Sequence, residues 1–138
     1  MAIIAATYAN NGVNPLTGHK LMSSETVKKT VQMLFSCGMY DYSGEWACTV
    51  GLPAKSGVSG IIFLVIPGIL GMALFSPQLD QYGNSVKGVE FAKRYTEKYQ
   101  HGMFDVIFRK NEYERLSTVA QGVSIASQAH FPTGGMPQ

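Results

Sequence analysis

The sequence predicts an α+β fold, with antiparallel sheet strands, flanking helices and only part of a domain present. Three observations point there. Residues 23–38 carry a helical stripe, with Val27, Val31, Leu34 and Phe35 at i, i+4, i+7 and i+8. Residues 58–75 hold two apolar runs split by Pro67-Gly68, as expected of buried strands joined by a tight turn. Charged residues make up only 14% of the 138, against roughly 25% in an ordinary soluble domain. Part of the surface is therefore expected to lie under a partner or under more of the same chain.

Taken in order, residues 2–9 have helical composition and no breaker, and Asn10-Asn11-Gly12 supplies a left-handed stop. This helix begins at the first residue with no N-cap, as expected of a chain cut inside an element. Asn14-Pro15 and Thr17-Gly18 read as loop. Ser23 or Ser24 caps the next helix, and Glu25 sits in its first turn, where the helix dipole favours negative charge. Lys28, Lys29 and Gln32 take its solvent face, and Gly38 ends it. From Glu45 to Val50 the alternation of Trp46, Cys48 and Val50 predicts a half-buried strand. Runs 58–66 and 69–75 follow as continuous apolar strands, which completes a three-strand meander. Ser76-Pro77 closes the sheet. Gly83-Asn84-Ser85 offers caps for a helix reaching about Tyr99, with Val89, Ala92 and Tyr99 facing inward. Residues 104–108 suit a short helix or strand. Residues 117–138, rich in Ser, Ala, Gly and Gln, are expected to be mobile.

Several function classes are excluded. Net charge is +2 and the 11 Lys and Arg form no basic stripe, so no nucleic-acid partner is expected. The longest apolar run, 61–75, is interrupted by Pro67, Gly68 and Gly71, which argues against a membrane span. The apolar stretch after Met1 has no positive segment before it and does not read as a signal peptide. Cys37 and Cys48 make neither a disulfide framework nor a metal spacing with His, and are expected as core thiols in a reducing compartment. His19, His101 and His130 each stand alone, with surface or structural roles expected.

Chemistry is concentrated at Lys55-Ser56-Gly57, just before a buried strand. A Lys-Ser/Thr-Gly triplet belongs to the serine β-lactamases and penicillin-binding proteins. There the lysine supplies positive charge, and the small residues let substrate lie along the strand. Alone, the triplet arises often by chance and suits a surface loop equally well.

Its surroundings are far more specific. The stretch 36–44, Ser-Cys-Gly-Met-Tyr-Asp-Tyr-Ser-Gly, leads into Gly-Leu-Pro-Ala-Lys-Ser-Gly-Val at 51–58. Ala-Ala-Thr-Tyr-Ala-Asn-Asn-Gly at 5–12 is followed by Pro-Leu-Thr-Gly at 15–18, and Phe-Ser-Pro-Gln-Leu-Asp at 75–80 by Gly-Asn-Ser-Val-Lys-Gly at 83–88. These blocks closely resemble the serine-dependent glutaminases, in order and spacing. The matching blocks cover residues 1 to about 92; beyond about Tyr99 the resemblance fades, leaving a faint likeness to animal glutaminases at 101–106. It implies a partial β-lactamase/penicillin-binding-protein-like domain, with residues 1–100 as the C-terminal part of the catalytic domain and 101–138 as a poorly defined extension. It also implies hydrolysis of L-glutamine to L-glutamate and ammonia through an acyl-serine intermediate, a homo-dimer or homo-tetramer, no metal or cofactor, and inorganic phosphate as the candidate activator. The setting implied is mitochondrial or cytoplasmic, with the tail leaning to the mitochondrial form. Residue by residue, Tyr40 matches the tyrosine that contacts glutamine and supports the serine. Val58 matches the residue whose backbone N–H contributes to the oxyanion hole, and Lys55 the supporting triplet lysine. Asp41, Tyr42 and Glu45 are expected to be structural.

One departure limits what the chain can do. No serine here is followed three residues later by lysine. The resemblance places that Ser-x-x-Lys nucleophile upstream of Met1, together with Asn and Glu substrate contacts and a further tyrosine. The 138 residues alone are therefore expected to be inactive. Two other readings stay open: a non-catalytic glutaminase-like remnant that pairs with a full-length enzyme, and, on the triplet alone, a β-lactamase relative, against which the flanking blocks argue.

Overall fold

Strand β2 (Ile61–Ile66) is apolar throughout, because both of its faces are covered. It is the centre of an antiparallel sheet of order β1-β2-β3, with β1 at Ala54–Gly57 and β3 at Leu70–Phe75. The computed structural model describes residues 1–108; the architecture below is that of the compact unit Met1–Asp105. The register pairs Ala54 with Leu64 and Gly57 with Ile61 on one side of β2, and Ile61 with Phe75 and Ile66 with Leu70 on the other. Gly68, at φ +75°, turns the second hairpin just after Pro67, where the sequence places it.

Four helices sandwich the sheet. Ile62, Leu64 and Ile66 point to one face and pack on Met39, Trp46, Leu52, Val89 and Ala92, the buried residues of α3 (Ser43–Thr49), α4 (Val86–Tyr99) and their flanks. Phe63 and Val65 point to the other face, against Ala5 and Ala9 of α1 (Ala2–Ala9) and Val31 and Leu34 of α2 (Ser24–Cys37). Each fully buried Leu, Ile or Val contributes about 1.5–3 kcal/mol, so this double burial of β2 is the main adhesive of the fold. Gly71 lets α1 lie directly on β3, since a Cβ there would stand 2.0 Å from Ala6 N. The caps are those expected: Ser23 Oγ accepts from Thr26 N at 3.1 Å and Ser85 Oγ from Gly88 N at 3.2 Å.

Some elements differ from expectation. Residues 45–50 are not a strand, because Ser43–Thr49 is helical. Trp46 and Val50 are buried and Cys48 is exposed; a spacing of four satisfies both a period of 2 and one of 3.6, so the pair could not discriminate. The first strand of the meander is instead Ala54–Gly57, so the Lys55-Ser56-Gly57 triplet rides an edge strand. Val58 is not in a strand; it opens the turn into β2, closed by Gly60 at φ +90°. Both cysteines are exposed rather than in the core. Tyr99 is 48% exposed, because the buried stripe of α4 runs through Val89, Ala92 and Thr96. Thr96 tolerates burial by donating its hydroxyl back to the Ala92 and Lys93 carbonyls. Residues 103–108 are helical. Residues 117–138 lie outside the described residues.

Candidate functional site

The site forms where the end of α2 meets the free edge of β1. Gly38 allows the approach, since a Cβ there would fall 1.7 Å from Ala54 O. Across this seam Ser56 N–H donates to Gly38 O at 2.9 Å. Along β1 the side chains alternate, Ala54 and Ser56 buried and Lys55 and Gly57 half-buried. The backbone of Ser56 faces away from β2, and its carbonyl is the focus of the site.

Just past Gly38 the chain turns sharply. Tyr40 adopts φ +55°, the left-handed region that a bulky residue enters only where its surroundings hold it. Ser43 spans this turn: its Oγ accepts from Met39 N at 3.0 Å and donates to Tyr40 O at 2.6 Å. The reversed backbone carries the Tyr40 ring over β1, where its hydroxyl donates to Ser56 O at 3.3 Å. Lys55 Nζ donates to the same carbonyl and lies 4.7 Å from the Tyr40 ring centroid, near enough for the ammonium to be attracted by the ring face.

Val58 follows two residues after Ser56. Its side chain is 73% exposed, and among the described residues nothing accepts from its N–H. A Cβ at Gly83 would stand 3.8 Å from Tyr40 Cε2 and 3.9 Å from Val58 Cγ1. The three residues expected to act together are thus neighbours, with Gly83 against two of them. Tyr42, Glu45 and Lys93 form a flanking group. Tyr42 is buried and its hydroxyl donates to Glu45 Oε1 at 3.2 Å. Lys93 Nζ stands 5.7 Å from the Tyr42 ring centroid, and its pKa is raised, first by its approach to the Tyr42 side chain.

Sequence reasoning assigned Ser43 no role and read Gly83-Asn84-Ser85 as helix caps and as part of a block resembling the glutaminases, without a site role. Asn84 is fully buried, and its Nδ2 donates to Met39 O at 3.2 Å. The only sequence signal for it was its place inside the Gly-Asn-Ser block.

As chemistry, the wall offers a phenol and an ammonium converging on one carbonyl, with an open backbone N–H beside them. It suits binding of a carbonyl oxygen and stabilisation of charge developing there. Among the described residues no group of three or more His, Cys, Asp or Glu could hold a metal ion. No helix among them is long and apolar enough to cross a membrane.

Comparison with known proteins places the chain in a family. A putative glutaminase 3 of Caenorhabditis elegans is 48% identical over 113 residues, which is 81% of this chain and 19% of the relative. The mitochondrial liver isoform of glutaminase from Mus musculus is 46% identical over 104 residues, 75% of this chain and 17% of the relative. The chain therefore spans about a fifth of the length of these animal relatives. The crystal structure of a Bacillus subtilis glutaminase, in covalent complex with 5-oxo-L-norleucine, superposes with a TM-score of 0.71 at 31% identity, over 74% of this chain and 37% of that one. The helix-flanked antiparallel sheet is part of the β-lactamase-like fold of those glutaminases. The glutaminase family model matches residues 1–104, and with that match the chain belongs to the glutaminase family.

Proposed function

We propose that this chain forms one wall of the active site of an enzyme that hydrolyses L-glutamine to L-glutamate and ammonia. The observation that carries the proposal is the convergence of Tyr40 Oη and Lys55 Nζ on Ser56 O, beside the open N–H of Val58. In this reading, the nucleophilic serine lies in the upstream segment and attacks the side-chain amide carbon of glutamine. The serine O–H bond breaks as a C–O bond forms, and the amide oxygen takes up negative charge against the Val58 N–H. The C–N bond then breaks, and the leaving nitrogen departs as ammonia with the proton given up by the serine, passed by way of the Tyr40 hydroxyl. Water hydrolyses the resulting ester and releases glutamate. Lys55 holds the Tyr40 ring and supplies positive potential without entering a bond.

The Bacillus subtilis relative supports an enzyme nucleophile, since its covalent complex arises by reaction with 6-diazo-5-oxo-L-norleucine. That reagent has the carbon chain of glutamine, with a diazomethyl ketone in place of the amide. Away from this wall, Ile3 and Ile4 of α1, Phe75 of β3 and Phe91 of α4 are exposed apolar side chains that the upstream segment would cover.

Ammonia release tests the reading. The 138-residue chain alone is expected to give none above a buffer blank, since no serine in it has lysine three residues on. In the complete enzyme, Tyr40→Phe is expected to lower turnover more than about tenfold, the low end for a general acid–base group. Glutamine turnover by the isolated chain would overturn the proposal, and unchanged turnover in the variant would remove Tyr40 from the catalytic residues.

A further inference from the structure

We propose that Asn84 is a positioning residue for Tyr40, resting on the reading of Tyr40 given above. Tyr40 needs its left-handed backbone to bring its ring over Ser56. The peptide that enters this conformation is Met39–Tyr40, and its carbonyl oxygen is gripped twice. Tyr42 N–H donates to it from the next turn at 3.2 Å, and Asn84 Nδ2 donates to it at 3.2 Å from 45 residues away in the chain. The first bond is local and moves with the turn. Only the second ties the turn to a separate element.

That element is itself rigidly closed. Asp80 Oδ1 accepts from the N–H groups of Tyr82 and Asn84, both at 2.9 Å, while Asp80 N donates to Asn84 O at 2.8 Å. Ser85 Oγ donates to Ser76 O at 2.8 Å, which fastens the loop to the end of β3. Gly83, adjacent to Asn84, lies against the edge of the Tyr40 ring. A single loop therefore touches both parts of Tyr40 that matter: its ring through Gly83 and its entering peptide through Asn84.

The chemistry of the side chain singles out its amide N–H. Asn84 is 0% exposed, and its Oδ1 has no hydrogen-bond partner among the described residues. A buried amide with one end unmatched is a poor choice for stability alone, where an apolar residue of similar size would serve. Among the described residues, its one side-chain bond runs to the carbonyl that precedes Tyr40.

The test is a double-mutant cycle in the complete enzyme, with kcat and KM measured for Asn84→Ala, Tyr40→Phe and the pair. Asn84→Ala is expected to lower kcat roughly ten- to a hundredfold, as for a small misplacement of a catalytic group, while KM changes less than about threefold. In the Tyr40→Phe background the same change is expected to cost less than about threefold, since the two act through one group. Asn84→Leu keeps roughly the volume but removes the donor and is expected to match Asn84→Ala in kcat. The buried Trp46 reports folding of each variant by fluorescence. Equal losses from Asn84→Ala with and without Tyr40 would overturn the proposal. So would unchanged kcat, or loss of folding in both Asn84 variants, which would make the residue structural. Unchanged kcat for Tyr40→Phe alone would overturn the reading of Tyr40 and the positioning role with it; a large Tyr40→Phe effect with additive Asn84 effects would overturn only the latter.

Discussion

Gly38→Ala tests the seam on which the site depends. A Cβ at this position would lie 1.7 Å from Ala54 O and 2.4 Å from Leu34 O, both backbone atoms that cannot rotate away. A relaxed carbon–oxygen contact needs about 3.3 Å, so α2 and β1 must part by roughly 1.6 Å. That displacement breaks the 2.9 Å bond from Ser56 N to Gly38 O. Losing the bond costs about 1 kcal/mol and the overpacking about 1–3 kcal/mol, so a loss of about 2–4 kcal/mol is expected in urea unfolding of the complete enzyme. The same displacement carries Ser56 O away from Tyr40 Oη, so kcat per folded molecule is expected to fall at least tenfold. Gly71→Ala is the control. Its Cβ would meet Ala6 N at 2.0 Å, so it separates α1 from β3 at a seam remote from Tyr40. It is expected to destabilise similarly and to leave kcat per folded molecule within about twofold. An unfolding midpoint for Gly38→Ala equal to the parent's, or equal kcat losses in the two variants, would refute the reasoning.

Trp46→Phe removes the 2.7 Å bond to Leu52 O and leaves that carbonyl buried without it, so unfolding free energy is expected to fall by about 1–3 kcal/mol in a denaturant titration. Lys55→Met is expected to lower kcat of the complete enzyme roughly tenfold or more with the fold intact, and a normal rate would show that the ammonium is dispensable. Arg94→Ala breaks an exposed pair with Glu90 at 2.7 Å, and unfolding is expected to change by less than about 0.5 kcal/mol. Stability should also fall in alkali. Burial raises the pKa of Tyr95 above 10.0, and the Tyr42 contact raises that of Lys93 above 10.5. Both groups hold their protons more tightly when folded, so their contribution is complete below those values and is lost as pH rises through the folded-state ones. Urea midpoints measured from about pH 8 to 11 are expected to decline at the alkaline end, less steeply in Tyr95→Phe; identical slopes would refute the assignment.

Legibility from sequence followed how many constraints each segment carries. Helix α2 was readable because Ser23, Glu25 and the Val27–Phe35 stripe all speak for the same element. The β2–β3 hairpin was readable because two uninterrupted apolar runs flank Pro67-Gly68. Helix α3 was not, since Trp46 and Val50 alone satisfy either period and seven residues offer no further vote. The cysteines misled because their usual burial is a statistical habit, and nothing in their spacing reported which way Ser24–Cys37 and Ser43–Thr49 face. At the site, Tyr40, Lys55 and Val58 were singled out from the pattern around them, and the structure brings them together. The hydrogen bonds that hold Tyr40 could not be read, because Asn84 reaches Met39 across 45 residues and a left-handed tyrosine leaves no local signature.

The pairing of β1 with β2 has a further consequence for tolerated change. Ser56 faces Ile62 and Lys55 faces Phe63, with only residues 58–60 between the strands. Side chains and backbone groups both alternate with a period of two, so a slip of one residue would exchange their orientations. The Lys55 ammonium would be driven toward the core and the Ser56 carbonyl turned inward to β2. One amino acid inserted or deleted within 58–60 should therefore be far more damaging than most point substitutions there. The short hairpin acts as a gauge that sets the phase of the whole edge that carries the candidate site.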